Sequence, residues 1–356
     1  ATNVSIILTG GVSDGASAYA AANGTTTSAL AAIKVQDGDA VITVTDAANV
    51  AQFDTIDAAT SSNVVLNGGV TDAVLELAAT DGTSTASLTA IAAQDADTTI
   101  TVSDAANVAQ VVTIDAASST AVVLNGGITD TLGQIASFNA SSSATLQNSV
   151  GAITANGDNN NDSANFSTVQ KGMTINGLGG SDNLTGTGFA DIITGATGLD
   201  SLFGGNGADT FVFATGDSPT VLVSVLSYDK IGDFNTAEDK VDLAVAPTLG
   251  GIDSQATTLG GSAGTVNLDV NGKITLAGDD LASATMAQVL DAMRAVVTEA
   301  GEIGFLEFND GLNGNSTFIY QENGASANDL FIQLTGVTGI DDTSNLSGDA
   351  DTLFIL

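Results

Sequence analysis

Residues 177–212 read GLGGSDNLTGTGFADIITGATGLDSLFGGNGADTFV and divide into four consecutive nonapeptides. Each nonapeptide begins with glycine, has aspartate at its sixth position and has a large apolar residue at its eighth. Glycine permits the left-handed backbone angles of tight turns, so each unit predicts a turn followed by a very short strand. The apolar residue would point inward, and two units would form one coil of a stack whose strands lie about 4.8 Å apart.

The aspartates of this segment, Asp182, Asp191, Asp200 and Asp209, recur at every ninth position. Stacked coils would align them in columns of like charge, which repel one another unless a cation lies among them. Calcium binds six to eight oxygen atoms at about 2.3–2.6 Å, and carboxylates and turn carbonyls supply such oxygens. The spacing therefore favours calcium sites, and the alternative is a glycine-rich array of turns that binds no ion.

The segment resembles the calcium-binding β-roll of RTX (repeats-in-toxin) proteins, which bacteria export by type I secretion and whose repeat is G-G-x-G-x-D-x-U-x. The resemblance implies that ions lie between turns of alternate half-coils. It pairs Asp182 with Asp200, and Asp191 with Asp209.

Three of the four units depart from that repeat. Leu178, Thr187 and Ala196 occupy the position of the second glycine, and Phe189 replaces the third glycine of its unit. These departures place the turn that contains Thr187 and Phe189 most in doubt, whereas the fourth unit, GGNGADTFV, is complete.

The segment 228–244, YDKIGDFNTAEDKVDLA, resembles the cap that follows the β-roll in serralysin-type proteases. The resemblance implies that its aspartates help to close the roll and that Phe211, Phe213, Phe234, Val241 and Leu243 form the core of the cap. An ordinary hairpin with solvated acids is the alternative. The metal-site residues implied for the roll and cap are Gly177, Gly179, Asp182, Gly186, Gly188, Asp191, Gly195, Thr197, Asp200, Gly204, Asn206, Asp209, Asp233, Asp239 and Asp242, with Asp229 as a further cap aspartate.

A different repeat precedes the roll. The stretch VITVTDAANVAQFDTIDAATSSNVVLNGGVTD at 41–72 returns in closely similar form at 99–130, and LTGGVSD at 8–14 is in the same register. Short β-branched runs that end at Asp, Asn or Gly predict strands, and stacked repeats predict a parallel β-solenoid. The AANVAQFDTIDAA segment is interpreted as a short helix with Asp46 as its N-cap, or as another strand and turn. Asp46, Asp57 and their repeats are ion-site candidates only if their coils are adjacent.

The C-terminal part has one amphipathic helix, predicted over 279–300, with acidic residues at its start and Gly301 at its end. Strands are expected at 304–310, 316–323 and 329–337. The last residues, DADTLFIL, are similar to the uncleaved C-terminal signal of type I substrates.

Composition narrows the class of function. The net charge is −35, which disfavours nucleic acid and anionic lipid as partners, and no apolar run is long enough to span a membrane. The chain has no Cys and no His, which removes thiol nucleophiles, His-dependent triads and His-metal catalysis. A carboxylate-only glycosidase remains as an alternative, but aromatic residues for sugar stacking are scarce. We therefore expect no enzymatic activity.

The expected fold is mainly β: solenoid repeats over 1–150, a polar transition over 151–172, a calcium β-roll and cap over 173–246, and a β-rich domain with one helix over 247–356. The expected function is that of a calcium-dependent, self-assembling protein of the bacterial surface, a surface-layer or filament subunit. The expected partners are further copies of the chain, the type I secretion machinery and cell-surface polysaccharide. An RTX adhesin, or a fragment of an RTX exoenzyme, is the alternative.

Overall fold

The structure is a computed structural model of the whole chain. It describes residues 8, 11–120, 122–138, 151–218, 228–243, 245, 248–249, 253–259, 262–278, 284–309, 314–324, 329–340 and 352–353. The fold is mainly β with parallel sheets, as the sequence predicts. The chain divides into two compact units, the first formed by Ala1–Asp130 and Ala140–Thr154 and the second by Thr131–Asn139 and Ala155–Leu356.

The first unit contains two parallel three-stranded sheets that repeat each other. Their strands are Val12–Asp14, Ile42–Val44 and Val64–Leu66 in one sheet, and Val70–Asp72, Ile100–Val102 and Val123–Leu124 in the other. The helices that connect them are Ala16–Tyr19, Ser28–Gln36, Val50–Asp57, Val74–Leu77, Ala86–Gln94 and Val108–Ala116. Two further strands of the chain are Ile128–Thr131 and Ile153–Asn156, and residues 132–138 are helical.

The same side-chain hydrogen bonds recur in successive sequence repeats of this unit. Asn49 accepts from the Gln52 N–H (2.8 Å), and Gln52 in turn accepts from the Asn49 N–H (3.1 Å). The same capping box recurs in the next repeat at Asn107 and Gln110. The helix alternative is therefore confirmed for this segment, but the predicted N-cap Asp46 is wrong, because Asn49 performs that role.

The second unit begins with stacked short strands, each of which pairs in parallel with the strand one coil away. One sheet contains Thr174–Asn176, Ile192–Thr194, Thr210–Phe213 and Lys240–Leu243. The other contains Ser163–Asn165, Asn183–Thr185, Ser201–Phe203 and Asp229–Ile231. Because Ser163–Asn165 already pairs with Asn183–Thr185, the coil stack starts within the range that the sequence assigns to a polar transition.

The apolar residue of every nonapeptide lies inside the roll. Leu184, Ile193, Leu202 and Phe211 are fully buried, and the cap residues Phe213, Phe234, Val241 and Leu243 are buried with them. Phe211 packs against Phe234 with ring centroids 6.1 Å apart. The inward direction of the eighth position is therefore confirmed.

The roll continues into the C-terminal part through a single sheet. Leu330–Leu334 pairs in parallel with Asp229–Ile231 and in antiparallel with Asn315–Gln321, which pairs with Glu302–Asn309. Helix Met286–Val296 packs its apolar face into the core beside these strands. The remaining strands are Gly179–Gly180, Thr197–Gly198, Thr248–Leu249, Asp253–Leu259, Ser262–Leu268, Ile274–Gly278 and Thr352–Leu353.

The C-terminal helix differs from its prediction at its end. It stops at Val296 and not at Gly301, and Thr285 caps its start with Gln288 in a capping box. The predicted start at 279–283 lies outside the described residues, as do residues 354–356 of the signal-like tail. Of the helices within the described residues, none is long and apolar enough to cross a membrane.

Candidate metal centre

The roll aligns its aspartates in two columns, one at each edge. One column contains Asp162, Asp182, Asp200 and Asp229, and the other contains Asp191, Asp209 and Asp239. In both columns the backbone N–H of one aspartate donates to Oδ1 of the next. The distance from the Asp182 N–H to Asp200 Oδ1 is 2.8 Å, and that from the Asp191 N–H to Asp209 Oδ1 is 2.9 Å. Oδ1 of every column aspartate except Asp162 therefore accepts from a neighbouring coil and holds two coils together.

The columns follow from the strand register. Asn183 pairs with Ser201, and Ile192 pairs with Thr210, so each aspartate precedes a strand that lies beside the strand two nonapeptides away. The structure thus brings together Asp182 with Asp200, and Asp191 with Asp209. These are the pairs that the RTX resemblance implies.

The second oxygen of several of these aspartates is buried without a hydrogen-bond donor. Within the described residues, Oδ2 of Asp182, Asp200, Asp209 and Asp229 is inaccessible to solvent and has no hydrogen-bond partner. The four side chains are at most 2% exposed. A buried carboxylate oxygen without a donor is costly, and a bound cation is one of the few groups that can offset that cost.

The first glycine of each turn leaves space for these oxygens. A Cβ at Gly177 would collide with Asp182 Oδ2 and would lie 2.7 Å from the Gly195 carbonyl oxygen of the next coil. The equivalent Cβ at Gly195 and Gly204 would collide with Oδ2 of Asp200 and Asp209. Carboxylate and carbonyl oxygens therefore converge beside Gly177, and they do so also beside Gly186, where a Cβ would lie 2.5 Å from both Asp191 Oδ2 and the Gly204 carbonyl oxygen. Hard oxygen ligands of this type suit Ca²⁺.

The pKa values of the buried column aspartates are raised, as the burial of their carboxyl groups requires. Burial raises the pKa of Asp200 to about 6 and that of Asp209 to about 7, and neighbouring carboxylates add to both shifts. Burial also raises the pKa of Asp182, Asp191 and Asp239, and raises that of Asp229 well above its ordinary value. The protein matrix therefore disfavours the charged form of each carboxylate, and a cation would favour it.

Within the described part of the chain, no three acidic side chains are grouped closely enough to hold a metal ion by themselves. An ion at either column would therefore need carbonyl oxygens of the turns in addition to carboxylates. The convergence of Asp182 Oδ2 with the Gly195 carbonyl oxygen provides that combination, so the residues present fit a calcium ion.

Six of the seven column aspartates have turns that fall into two conformations, which differ at the position four residues before the aspartate; for Asp229 that position lies outside the described residues. In the first, which we call the open turn, this residue has a positive φ: +77° at Leu178, +64° at Ala196 and +97° at Gly205. In the second, the closed turn, its N–H donates to Oδ2 of the aspartate of its own turn. The donors are Thr187 to Asp191 (2.5 Å), Asn235 to Asp239 (2.8 Å) and Asp158 to Asp162 (2.9 Å).

The other predicted site residues have varied positions. Gly179 pairs with Thr197 across neighbouring turns, whereas Gly188 and Asn206 are exposed. Asp233 accepts from the Gly204 and Gly205 N–H groups, both at 2.9 Å, so both of its oxygens are engaged.

Asp242 is only partly buried, on the face of its strand opposite to Val241 and Leu243. The structure thus brings Gly204 and Asp209 of the last nonapeptide to the aspartate column. It does not place Asp242 in that column.

Two column residues, Asp162 and Asp229, were missed by the nonapeptide spacing. Neither lies a multiple of nine positions from the next aspartate of its column, so neither continues the period of the repeat. The resemblance of 228–244 to a roll cap did name Asp229, as a cap aspartate. The role of Thr187 was visible in the sequence only as a departure from the repeat.

The repeated aspartates of the first unit have structural partners. Asp46 Oδ1 accepts from the Ala16 N–H, and Asp104 Oδ1 accepts from the Val74 N–H, in each case at the start of a helix of a neighbouring coil. Asp72 Oδ2 likewise accepts from the Val50 N–H (2.9 Å). Side-chain oxygens that accept from helix N-terminal N–H groups stabilise those helices, which gives these aspartates a role without any ion.

A comparison with protein-family models agrees with the RTX resemblance over part of the chain. Residues 123–277 match the family model described as the C-terminal part of serralysin, peptidase family M10. A search of the curated proteins finds no match to this chain. Among solved structures, the AlgE6R3 subunit of the Azotobacter vinelandii mannuronan C5-epimerase is 18% identical. The similarity covers 55% of this chain and 92% of that one, with a TM-score of 0.28.

Proposed function

We propose that this chain is an extracellular, calcium-dependent structural protein that is exported by type I secretion and assembles with further copies of itself. The observation that carries the calcium dependence is the set of four buried carboxylate oxygens without a donor in the two columns. The match of residues 123–277 to a serralysin C-terminal model supports a secreted module of RTX type.

In this proposal, calcium couples folding to location. In a calcium-poor cytoplasm the columns of Asp182, Asp200 and Asp209 repel and disfavour the folded roll, which keeps the chain unfolded for export. Outside the cell, calcium binds only the folded roll and stabilises it by mass action. What this chain's own residues contribute is the stack of coils, held through Oδ1, and the buried Oδ2 atoms that require a cation.

Self-assembly is the second part of the proposal. Its support is the recurrence of one three-stranded parallel sheet in the same register, a geometry that extends by addition of further units. The net charge of −35 would oppose close association of copies, and calcium would reduce that repulsion.

The calcium dependence is tested by circular dichroism of the full chain in calcium-free buffer and after calcium addition. We expect β signal to increase on addition and to fall with chelator, and we expect Asp200→Asn to shift the midpoint to higher calcium. A β signal that ignores calcium and chelator would contradict the proposal.

Assembly is tested by electron microscopy of the same samples. Sheets or fibres that form only with calcium would support the structural role. Monodisperse particles that bind cells or polysaccharide, with no assembly, would indicate an adhesin.

A further inference from the structure

We propose that Thr187 closes its turn to calcium, so that ions bind at the open turns of Asp182, Asp200 and Asp209 and not at Asp191. The inference rests on the proposed calcium dependence of the roll. It specifies which turns hold the ion, and it assigns the difference to one residue.

The Thr187 turn already satisfies its own aspartate. The Thr187 N–H donates to Asp191 Oδ2 (2.5 Å), and the Thr187 hydroxyl lies 3.2 Å from Asp191 Oδ1. The same hydroxyl accepts from the Phe189 N–H (3.0 Å), and Thr187 is only 1% exposed. The interior of this turn is therefore occupied by a side chain and its hydrogen bonds, and both Asp191 oxygens have donors.

The open turns lack this arrangement. Leu178 and Ala196 stand at the position equivalent to Thr187, and they are the only non-glycine residues with positive φ among those described. Their backbone N–H groups do not reach the aspartate of the turn, and Oδ2 of Asp182 and Asp200 is left buried without a donor.

The backbone strain gives an independent argument. A left-handed conformation is unfavourable for a non-glycine residue, and such strain persists where the surroundings or a function require it. At Leu178 and Ala196 the strain coincides with a bare carboxylate oxygen, whereas Thr187 has neither. A cation among the open turns would account for both features together, since it would bind the oxygen that the strained backbone leaves free.

The test is the number of calcium ions bound per full-length chain, measured by equilibrium dialysis at saturating calcium followed by atomic absorption. Asp200→Asn is expected to lower the number by one relative to the unaltered chain, and Asp191→Asn is expected to leave it unchanged. Thr187→Gly is expected to raise it by one, because glycine adopts positive φ readily and removes the hydroxyl. Thr80→Gly, the same change at an exposed position outside the roll, is the matched control and should not alter the number.

Equal losses for Asp191→Asn and Asp200→Asn would overturn the inference while leaving the proposed calcium dependence intact. An unchanged number for a folded Thr187→Gly would also overturn it. If Thr187→Gly does not fold, the pair of aspartate variants still decides. A full-length chain that binds no calcium at all would overturn both the inference and the proposed function.

Discussion

The positive φ of Ala196 predicts that one substitution will have opposite consequences at two positions of the roll. Ala196→Gly removes a side chain from a residue with φ +64°, whereas Ala208→Gly makes the same change where φ is not positive. Ala208 is exposed and Ala196 is half-buried, so neither methyl group contributes much packing.

The expected magnitudes follow from three contributions. Relief of the left-handed conformation at Ala196 stabilises the fold by roughly 1–2 kcal/mol. Either glycine costs roughly 0.5–1 kcal/mol in chain entropy, and loss of a half-buried methyl group costs at most about 0.4 kcal/mol. Ala196→Gly should therefore change stability by between about −0.4 and about +1.5 kcal/mol, and Ala208→Gly should destabilise by about 0.5–1 kcal/mol.

The assay is thermal unfolding of both variants at saturating calcium, followed by far-UV circular dichroism. The difference between the two variants isolates the left-handed strain, and each kcal/mol corresponds to about 2–4 °C in Tm for a unit of this size. Ala196→Gly should therefore melt several degrees above Ala208→Gly. Equal melting temperatures would show that Ala196 carries no strain, and the argument that links strain to the open turns would fail with it.

Three further outcomes are expected. Burial raises the folded-state pKa of Asp209 to about 7 from an ordinary 3.8, so the folded state binds more protons than the unfolded state between these pH values. In calcium-free buffer the stability of the fold should therefore increase as pH falls from 8 to 5. A circular dichroism titration that shows the opposite trend would contradict the burial argument. Asn107→Ala should lower the stability of the first unit by about 1–2 kcal/mol through loss of the capping box, whereas Asn63→Ala, at an exposed asparagine, should leave thermal unfolding unchanged. Phe211→Ala should lower the stability of the folded state by about 3–5 kcal/mol and prevent calcium-induced folding. Phe189→Ala, whose ring is 44% exposed, should do neither. Similar behaviour of the two variants would refute the assignment of the core.

The sequence predicted the roll well because its constraint is local and repeated. A turn of fixed length followed by one inward apolar residue allows little choice, and Leu184 and Ile193 are buried as expected. The repeat of the first unit was predictable for the same reason, since equal sequences place equal hydrogen bonds at Gln52 and Gln110.

The sequence did not determine which of two similar residues caps a helix, or at which of two suitable positions a helix ends. Asp46 and Asn49 are both suitable N-cap residues, and only the structure shows that Asn49 is paired with Gln52 while Asp46 reaches the Ala16 N–H of another coil. The end of the C-terminal helix at Val296 similarly depends on tertiary packing, because Gly301 offered an equally good stop signal from composition alone.

The division of each carboxylate into two roles explains why aspartate suits the sixth position of the repeat. Oδ1 holds the neighbouring coil through a backbone N–H. In the closed turns Oδ2 accepts from the N–H of the residue four positions earlier, and in the open turns that residue has a positive φ and Oδ2 has no donor.

Along one column a closed turn at Asp162 precedes the open turns of Asp182 and Asp200, and in the other column closed turns at Asp191 and Asp239 lie on either side of Asp209. Under the proposed calcium dependence, the closed turns are segments of the stack that need no cation, and the open turns are the positions where calcium would stabilise the roll.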